Sequence, residues 1–582
     1  MTVGDGDKVA AGRPLAIDPA FSMVLAAIAV FWLPASFNVA DDVGAQMILA
    51  GLDGFSAAAD VPFHSQLLNS LLHALYQLTP AVPWYGLAVL ATTTVGVSLF
   101  MNLLLDRGQL LGRGQPRAVR WLCLPALVVL LAHCLYSITF TSAALLCQLG
   151  VFLSLLQLPD HQLKRRRCRL ALLALLLLAF LWRWKLACYV LLLGVPIILV
   201  RPQQLRLMLT FAGVALALVA CDRGLHRVVG AGLADSDFHQ FYQLRAQFHD
   251  RPQGRGATDK AIAAAGWTRD DYRIYRELWV IHDDEKFNRD TVTSFLEANR
   301  EARGSLPGSI VAGVQRSLRE NAMSLRIVLP TLLGLLFWHW WSGSWRICRR
   351  PRWTILALLA ASMPLLFLAY FRLVPRVAIP LQLYLVCLLA ILPRLDVSAT
   401  SAPSAGRWSR PGLAILILLM VLASGFAVRM LLLEVPQQRR GHRQLASVNQ
   451  SLLKLASTYD RPILLRLNTG AGLRHGAMHP LRVPEFFRQL RIIPSGWQTG
   501  SPRYQRILKE LGAGSGRELL QQAIDHEGIF FVEYIDDPGL AQQTLELWRS
   551  YYKRNLDREV TFEPVMGGGK QEGLAVYRLR GK

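Results

Sequence analysis

The sequence predicts an α-helical polytopic membrane protein with about eleven transmembrane helices, helical extracytoplasmic loops and a C-terminal α/β soluble domain. Three observations predict it. Long apolar runs such as Leu170–Leu181, Ile355–Ala369 and Leu413–Ala427 contain no charge, and roughly 20 apolar residues cross a bilayer core. Lysine and arginine crowd the short connections between such runs. After Leu433 the chain changes character, and short strand-like and helical stretches follow one another.

Spans are expected near 20–38, 84–105, 121–138, 141–158, 168–182, 186–200, 206–221, 322–341, 353–371, 374–393 and 412–433. One set of loops carries Arg107, Arg113, Arg117 and Arg120, then Lys164, Arg165, Arg166, Arg167 and Arg169, then Arg201 and Arg206. Arg346, Arg349, Arg350 and Arg352, and later Arg394, Arg407 and Arg410, continue it. With an odd span count these all fall on the side of the N-terminus, which the positive-inside rule makes cytoplasmic. Lys8 and Arg13 precede the first apolar run, and Ala35 and Ser36 follow it as in a cleaved signal peptide. An uncleaved anchor is nevertheless expected, because the run is long for a signal core and further spans follow. The domain division is then 1–433 for the membrane part and 434–582 for a periplasmic α/β domain. Within the membrane part, 39–83 is the first periplasmic loop and 222–321 a large second one.

The outer pieces have local signatures. Phe63–Leu78 places leucines at helical spacing and reads as an interfacial helix, ended by Pro80 and Pro83 and followed by the aromatic pair Trp84 and Tyr85. Thr268 and Asp271 form a capping box opening a helix, Asn288 or Thr291 caps another, and Asp237–Asp250 is helical. In the tail, Pro462–Leu467, Gly528–Tyr534 and Gly573–Leu579 read as strands. Tyr504–Leu511, Arg517–Asp525 and Gly539–Leu556 read as helices, and Gly567–Gly569 as a turn.

Composition and motifs exclude several classes. The formal net charge of +23 comes from loop cations, and no nucleic-acid-binding motif accompanies it. The eight cysteines include no CxxC pair, and none lies after Leu433. No GxSxG, Walker or dinucleotide-binding motif is present.

Asp41 and Asp42 are the leading catalytic candidates. Two adjacent carboxylates at the exit of an apolar segment repel each other and lose hydration, so they face water, a cavity or a ligand. His64 and Gln66 follow in the same loop. Arg183 and Lys185 lie in the short turn Trp182–Lys185, and Arg372 and Arg376 flank Val374–Pro375. Cations in outer turns run against the positive-inside bias. They suit either a lipid headgroup or a lipid-linked phosphate. Asp283 and Asp284 form a second acidic cluster, read as a solvated helix end or as an acceptor or metal contact. The cofactor is left open, a divalent cation included.

This layout resembles the GT-C superfamily of polytopic glycosyltransferases. The matching residues are Asn38-Val39-Ala40-Asp41-Asp42, the helix Phe63–Leu78, the Pro83-Trp84-Tyr85 start of the next span, and the late basic turn Phe371-Arg372-Leu373-Val374-Pro375-Arg376. The resemblance implies transfer of a sugar from a polyprenyl-phosphate-linked donor to a lipid or glycan acceptor, such as lipopolysaccharide, at the periplasmic face of a bacterial inner membrane. It implies Asp41 or Asp42 as general base, and Arg372 and Arg376 on the donor phosphate together with Arg183 and Lys185. No WWD-type signature of oligosaccharyltransferases is present. Transport of lipid-linked glycans and a non-catalytic role in envelope assembly are the competing readings. Concentration of the polar residues at one face favours the enzyme.

Overall fold

The computed structural model describes residues 35–37, 40–105, 117–158, 160–191, 201–229, 236–250, 256–278, 282–303, 307–341, 373–391, 410–467, 479–481, 485–534, 538–567 and 574–582, with the single positions 24, 27 and 254. The first loop holds α1 (Ala40–Ala50) and α2 (Gln66–Leu78). The apolar helices α3 (Trp84–Leu105), α4 (Arg117–Tyr136), α5 (Phe140–Gln157), α6 (Arg166–Leu191) and α7 (Leu205–Val229) follow. The second loop supplies α8 (Ser236–Asp250), α9 (Asp259–Ala264), α10 (Arg269–Arg273) and α11 (Arg289–Arg303). Next come α12 (Pro307–Glu320), α13 (Ala322–Trp341), α14 (Pro375–Ile391) and α15 (Arg410–Thr458).

Among the described residues, five stretches are long and apolar enough to cross a membrane: Trp84–Met101, Phe140–Gln157, Arg166–Leu191, Pro202–Leu225 and Ala414–Thr458. The pair α12–α13, bent by 88°, makes a sixth, and Ala126–Tyr136 and Pro375–Ala390 are shorter apolar helices. This is a multi-pass membrane protein. The expected spans 20–38, 186–200 and 353–371 lie wholly or largely outside the described residues, as does Arg372.

The chain reverses where the short turn Trp182–Lys185 is expected. Arg183 leaves the helical region (φ −157°, ψ 70°) inside α6. α5 then serves as a ruler. The Arg183 guanidinium lies 5.1 Å from the Phe140 ring, Gln148 Nε2 donates to the Ala187 carbonyl at 2.8 Å, and Arg201 Nη1 donates to the Leu158 carbonyl at 2.7 Å. These contacts step from the first turn of α5 to its end, so Arg183, Ala187 and Arg201 lie progressively further along it. α2 is apolar on both faces: Leu68, Leu72 and Tyr76 are buried, while Leu67, Leu71 and Leu78 are exposed. An apolar stripe on the outward face suits a helix bedded in the membrane interface.

The tail forms a five-stranded mixed sheet in the order Arg491–Ile492, Ile463–Arg466, Ile529–Tyr534, Leu574–Gly581, Val560–Gly567. A small parallel pair, β1 (Ser36–Phe37) with β2 (Ser137–Ile138), precedes it in the chain and was not legible in the sequence. The tail strands are β3 (Ile463–Arg466), β4 (Arg491–Ile492), β5 (Ile529–Tyr534), β6 (Val560–Gly567) and β7 (Leu574–Gly581). The helices α16 (Pro502–Glu510), α17 (Gly516–Gln522) and α18 (Pro538–Asn555) accompany them. Strand alternation sends successive side chains to opposite faces. Leu464, Phe530 and Val532 join the apolar cluster shared with the membrane helices. Leu465, Ile529 and Phe531 join a second cluster with Phe248, Trp267, Tyr275 and Phe295 of the second loop. The second loop and the tail therefore share one core and are not independent pieces.

The expected boundary at 433/434 falls inside α15, a continuous helix of 49 residues with Pro436 within it. The sequence turns polar there, but glutamine and arginine favour helix as well as leucine does, so leaving the apolar run does not end the helix. Glu434 is held by His133 Nδ1 at 2.9 Å and by the Tyr136 hydroxyl, both from α4.

Two of the contacts that fasten the first loop to the tail lie at Asp53 and Gly54. Arg503 donates to both oxygens of Asp53, at 2.7 and 2.9 Å, and both side chains are buried. Beside them Gly54, at φ +80°, passes so close to Leu490 that a Cβ would stand 1.8 Å from its carbonyl oxygen. Removing one partner of a buried pair strands the other charge. Asp53→Asn is therefore expected to lower stability by about 3 kcal/mol, while the double change Asp53→Leu with Arg503→Met recovers most of it. Thermal unfolding of the detergent-solubilised variants measures both.

Candidate active site at the Asp41–Asp42 mouth

α1 begins at the acidic pair, and carboxylates in a first turn meet unpaired backbone N–H groups and the positive end of the helix dipole. Neighbouring helical residues point about 100° apart, and here that separates two environments. Asp42 is 0% exposed, whereas the Asp41 side chain is 25% exposed.

Three elements close on Asp42. Tyr85, at the start of α3, donates its hydroxyl to Asp42 Oδ1 at 2.8 Å. The Phe140 N–H, at the first turn of α5, donates to the same oxygen at 3.1 Å. Among the described residues Oδ2 has no partner. His64 stands behind Tyr85, its Nε2 3.4 Å from the Tyr85 hydroxyl and its Nδ1 3.2 Å from Asn69 Oδ1. Asn69 Nδ2 donates to the Val61 carbonyl, which assigns Oδ1 to the imidazole and the ring proton to Nδ1. Burial drives the His64 pKa down to about 3, opposed by the Asn69 bond and reinforced by Arg183, so the ring is neutral. Burial pushes the Asp42 carboxyl up to about 7, against the Tyr85 and Phe140 bonds and with Asp41 adding its repulsion.

Asp41 faces the mouth. Arg376 Nη2 approaches its Oδ2 at 3.8 Å, both side chains partly exposed, and the Arg376 carbonyl accepts from the Ser142 hydroxyl at 2.9 Å. Arg183 is within electrostatic reach of Arg376, Asp41 and Asp42. Its guanidinium lies over the Phe63 and Phe140 rings, at 5.9 and 5.1 Å. Phe63 in turn packs on Tyr242 of α8 at 6.3 Å and on Trp497 of the tail at 4.6 Å. One aromatic shell thus joins the first loop, the second loop and the tail around two arginines and two carboxylates.

Of the other expected site residues, Lys185 is exposed and sits 5.6 Å from the Trp184 ring, whose centre also lies 5.3 Å from the Arg223 guanidinium. Gln66 is buried at the start of α2, its amide 3.5 Å from the Ser70 hydroxyl. Asp283 and Asp284 lie elsewhere, in the seam between second loop and tail. Asp283 accepts from the Tyr551 hydroxyl at 2.5 Å and the Lys286 N–H at 3.0 Å. Asp284 accepts the N–H groups of Gly516 and Arg517, capping α17. Their bonds serve the fold. Among the described residues, no three His, Cys, Asp or Glu side chains converge as a metal site.

Sequence reasoning found the acids and three of the nearby cations or polar groups, but not what surrounds them. The sequence marks Tyr85 only as an interfacial aromatic, and nothing local marks Phe140, Tyr242 or Trp497. Each lies at least 20 residues from the pair, and only the packing brings them there.

The raised Asp42 carboxyl has a measurable sign. The folded chain binds more protons than the unfolded one between about pH 4 and 7. Stability from this group is full below the unfolded carboxylate range and is lost as pH rises through about 7. Asp42→Asn, which carries no charge, is expected to flatten that decline and unfold at higher temperature than the wild type at pH 8. The difference reaches up to about 4 kcal/mol, at 1.36 kcal/mol per pH unit. Parallel melting curves from pH 4 to 8 test it.

No protein-family model and no curated protein matches the chain. Among solved structures, it is similar to the crystal structure of ArnT from Cupriavidus metallidurans bound to undecaprenyl phosphate, at 12% identity and a TM-score of 0.39, over 96% of each chain.

Proposed function

We propose that this chain is a membrane glycosyltransferase of the GT-C kind. It moves a sugar from a polyprenyl-phosphate-linked donor to a lipid or glycan acceptor of the cell envelope, at the periplasmic face of a bacterial inner membrane. The N-terminus is cytoplasmic and the tail periplasmic in this reading. The observation that carries it is the pairing at one mouth of a partly exposed carboxylate, Asp41, with two guanidinium groups, Arg376 and Arg183.

That arrangement suits a single displacement. The Asp41–Asp42 pair takes the proton from an acceptor hydroxyl. The freed oxygen forms a bond to the anomeric carbon as the bond from that carbon to the carrier phosphate breaks, with inversion. The polyprenyl phosphate leaves with the electron pair, and Arg376 and Arg183 balance its charge, joined by Arg372 and Lys185. Asp41, facing the opening, is the group that meets the acceptor. Asp42, held by Tyr85 and the Phe140 N–H, fixes the start of α1. Gln66 and His64 support the wall behind. Asp283 and Asp284 hold the tail to the second loop.

Asp41→Asn is expected to lower transfer from a polyprenyl-phosphate hexose by about 10²-fold or more, with normal folding, since loss of a general base costs 10²–10⁴. Arg376→Gln should weaken donor use, while Asp284→Asn leaves turnover near wild type. The assay follows consumption of the lipid-linked sugar in membranes at matched expression. Full activity of Asp41→Asn and Asp42→Asn alike would remove the acids from catalysis.

A further inference from the structure

The tail meets the mouth at the turn Gly496–Gln498, among other described contacts, and that turn is fixed by several interactions. Gly496 and Gly500 bracket it at φ +70° and +75°, conformations that side-chain-bearing residues rarely adopt. Arg245, a buried cation on α8, clamps it from the second loop. Its Nη1 donates to the carbonyls of Gly496 at 3.0 Å and Thr499 at 2.7 Å, and its Nη2 to that of Trp497 at 3.3 Å. Phe241 and Phe238 lie 4.6 and 5.7 Å from the same guanidinium. Burying a cation costs hydration energy, and here the compensation is the fixing of a three-residue turn.

What the turn presents is Trp497. The indole packs edge-on against Phe63 and lies against Gly44, where a Cβ would stand 3.3 Å from its ring. Gly44 is three residues after Asp41 on α1, so both share one helix face, about one turn apart. A side chain at this position would crowd the indole, which would have to shift by a few tenths of an ångström. Trp497 and Gln498 nevertheless remain partly exposed. A large apolar ring, held in place by its turn and still partly exposed beside an acid and two arginines, can serve as a platform.

We propose that Trp497 is a substrate-contact residue whose indole stacks on the apolar C–H face of the transferred sugar ring, and that Arg245 is its positioning residue. This rests on the glycosyltransferase reading and gives the tail a role in it: without the tail the sugar site lacks a wall. An indole face complements a flat C–H surface, while Asp41 and the arginines meet the hydroxyl and phosphate ends.

The test uses the full-length protein in detergent with two probes, a polyprenyl-phosphate hexose and the same polyprenyl phosphate without sugar. In the wild type the glycosylated lipid is expected to bind more tightly. Trp497→Ala should weaken glycosylated-lipid binding by about tenfold and leave the bare carrier within about twofold, since the indole meets the sugar and not the carrier. Trp497→Phe should recover most of the loss. Arg245→Met should reproduce the loss, and the double variant Arg245→Met with Trp497→Ala should be no worse than either alone, as for two residues acting through one contact. Equal weakening of both probes, or a fall in melting temperature with unchanged preference, makes the indole structural and overturns the inference. Binding of neither probe by the wild type overturns the glycosyltransferase reading itself, and the inference with it.

Discussion

Everything at the mouth depends on burying one carboxylate. Asp42 has lost its water, and its Oδ1 is satisfied only because Tyr85 from α3 and the Phe140 N–H from α5 arrive at the same point. A charged group transferred from water without partners costs several kcal/mol, so helix positions that failed to supply both donors would be heavily penalised. The pairing of β1 with β2, in register Ser36 to Ser137 and Phe37 to Ile138, sets the chain just before α1 against the chain just before α5. Two short strands thus bring the donor and the acceptor of that bond together.

The outer body follows a similar economy of surfaces. A five-stranded sheet has two faces to cover, and this chain covers one with membrane-side residues and the other with the second loop. The aromatic rings of Phe248, Trp267, Tyr275 and Phe295 fill that second core. They explain why a loop with few strongly apolar runs is ordered, since aromatic side chains bury large areas each. The acidic seam of Asp271, Asp283 and Asp284 is bonded to Asn555, Tyr551 and the start of α17. A cluster that reads in sequence as a solvated helix end or as a metal or acceptor contact is bonded here to backbone N–H groups, an amide and a hydroxyl.

Much of the architecture was legible from local signals. The Thr268–Asp271 capping box, the interfacial helix after Ser65, and the strands around Leu464, Phe531 and Val576 appear where periodicity and capping residues put them. The Trp182–Lys185 reversal was legible because two cations interrupt a leucine-rich run. The continuity of α15 was not, because hydropathy reports where a helix leaves the bilayer and not where its hydrogen bonds stop. Nor was α1, whose mixed composition of acids, glycine and glutamine carries little periodic signal. The site itself was half legible: acids and arginines stand out by charge, but Tyr85 and Trp497 are ordinary aromatics until distant segments fold onto them.

The 49 residues of α15 make a shaft about 74 Å long at 1.5 Å per residue, more than twice the thickness of a hydrocarbon core. Its upper half leads directly into β3, with only four residues between. Each residue added to such a shaft turns whatever it carries by about 100°. The length of this helix is therefore a matter of phase as well as height. Insertions of three or four residues nearly restore the tail's bearing, while a single insertion swings the sheet, and the turn it lends to the mouth, to another side of the axis.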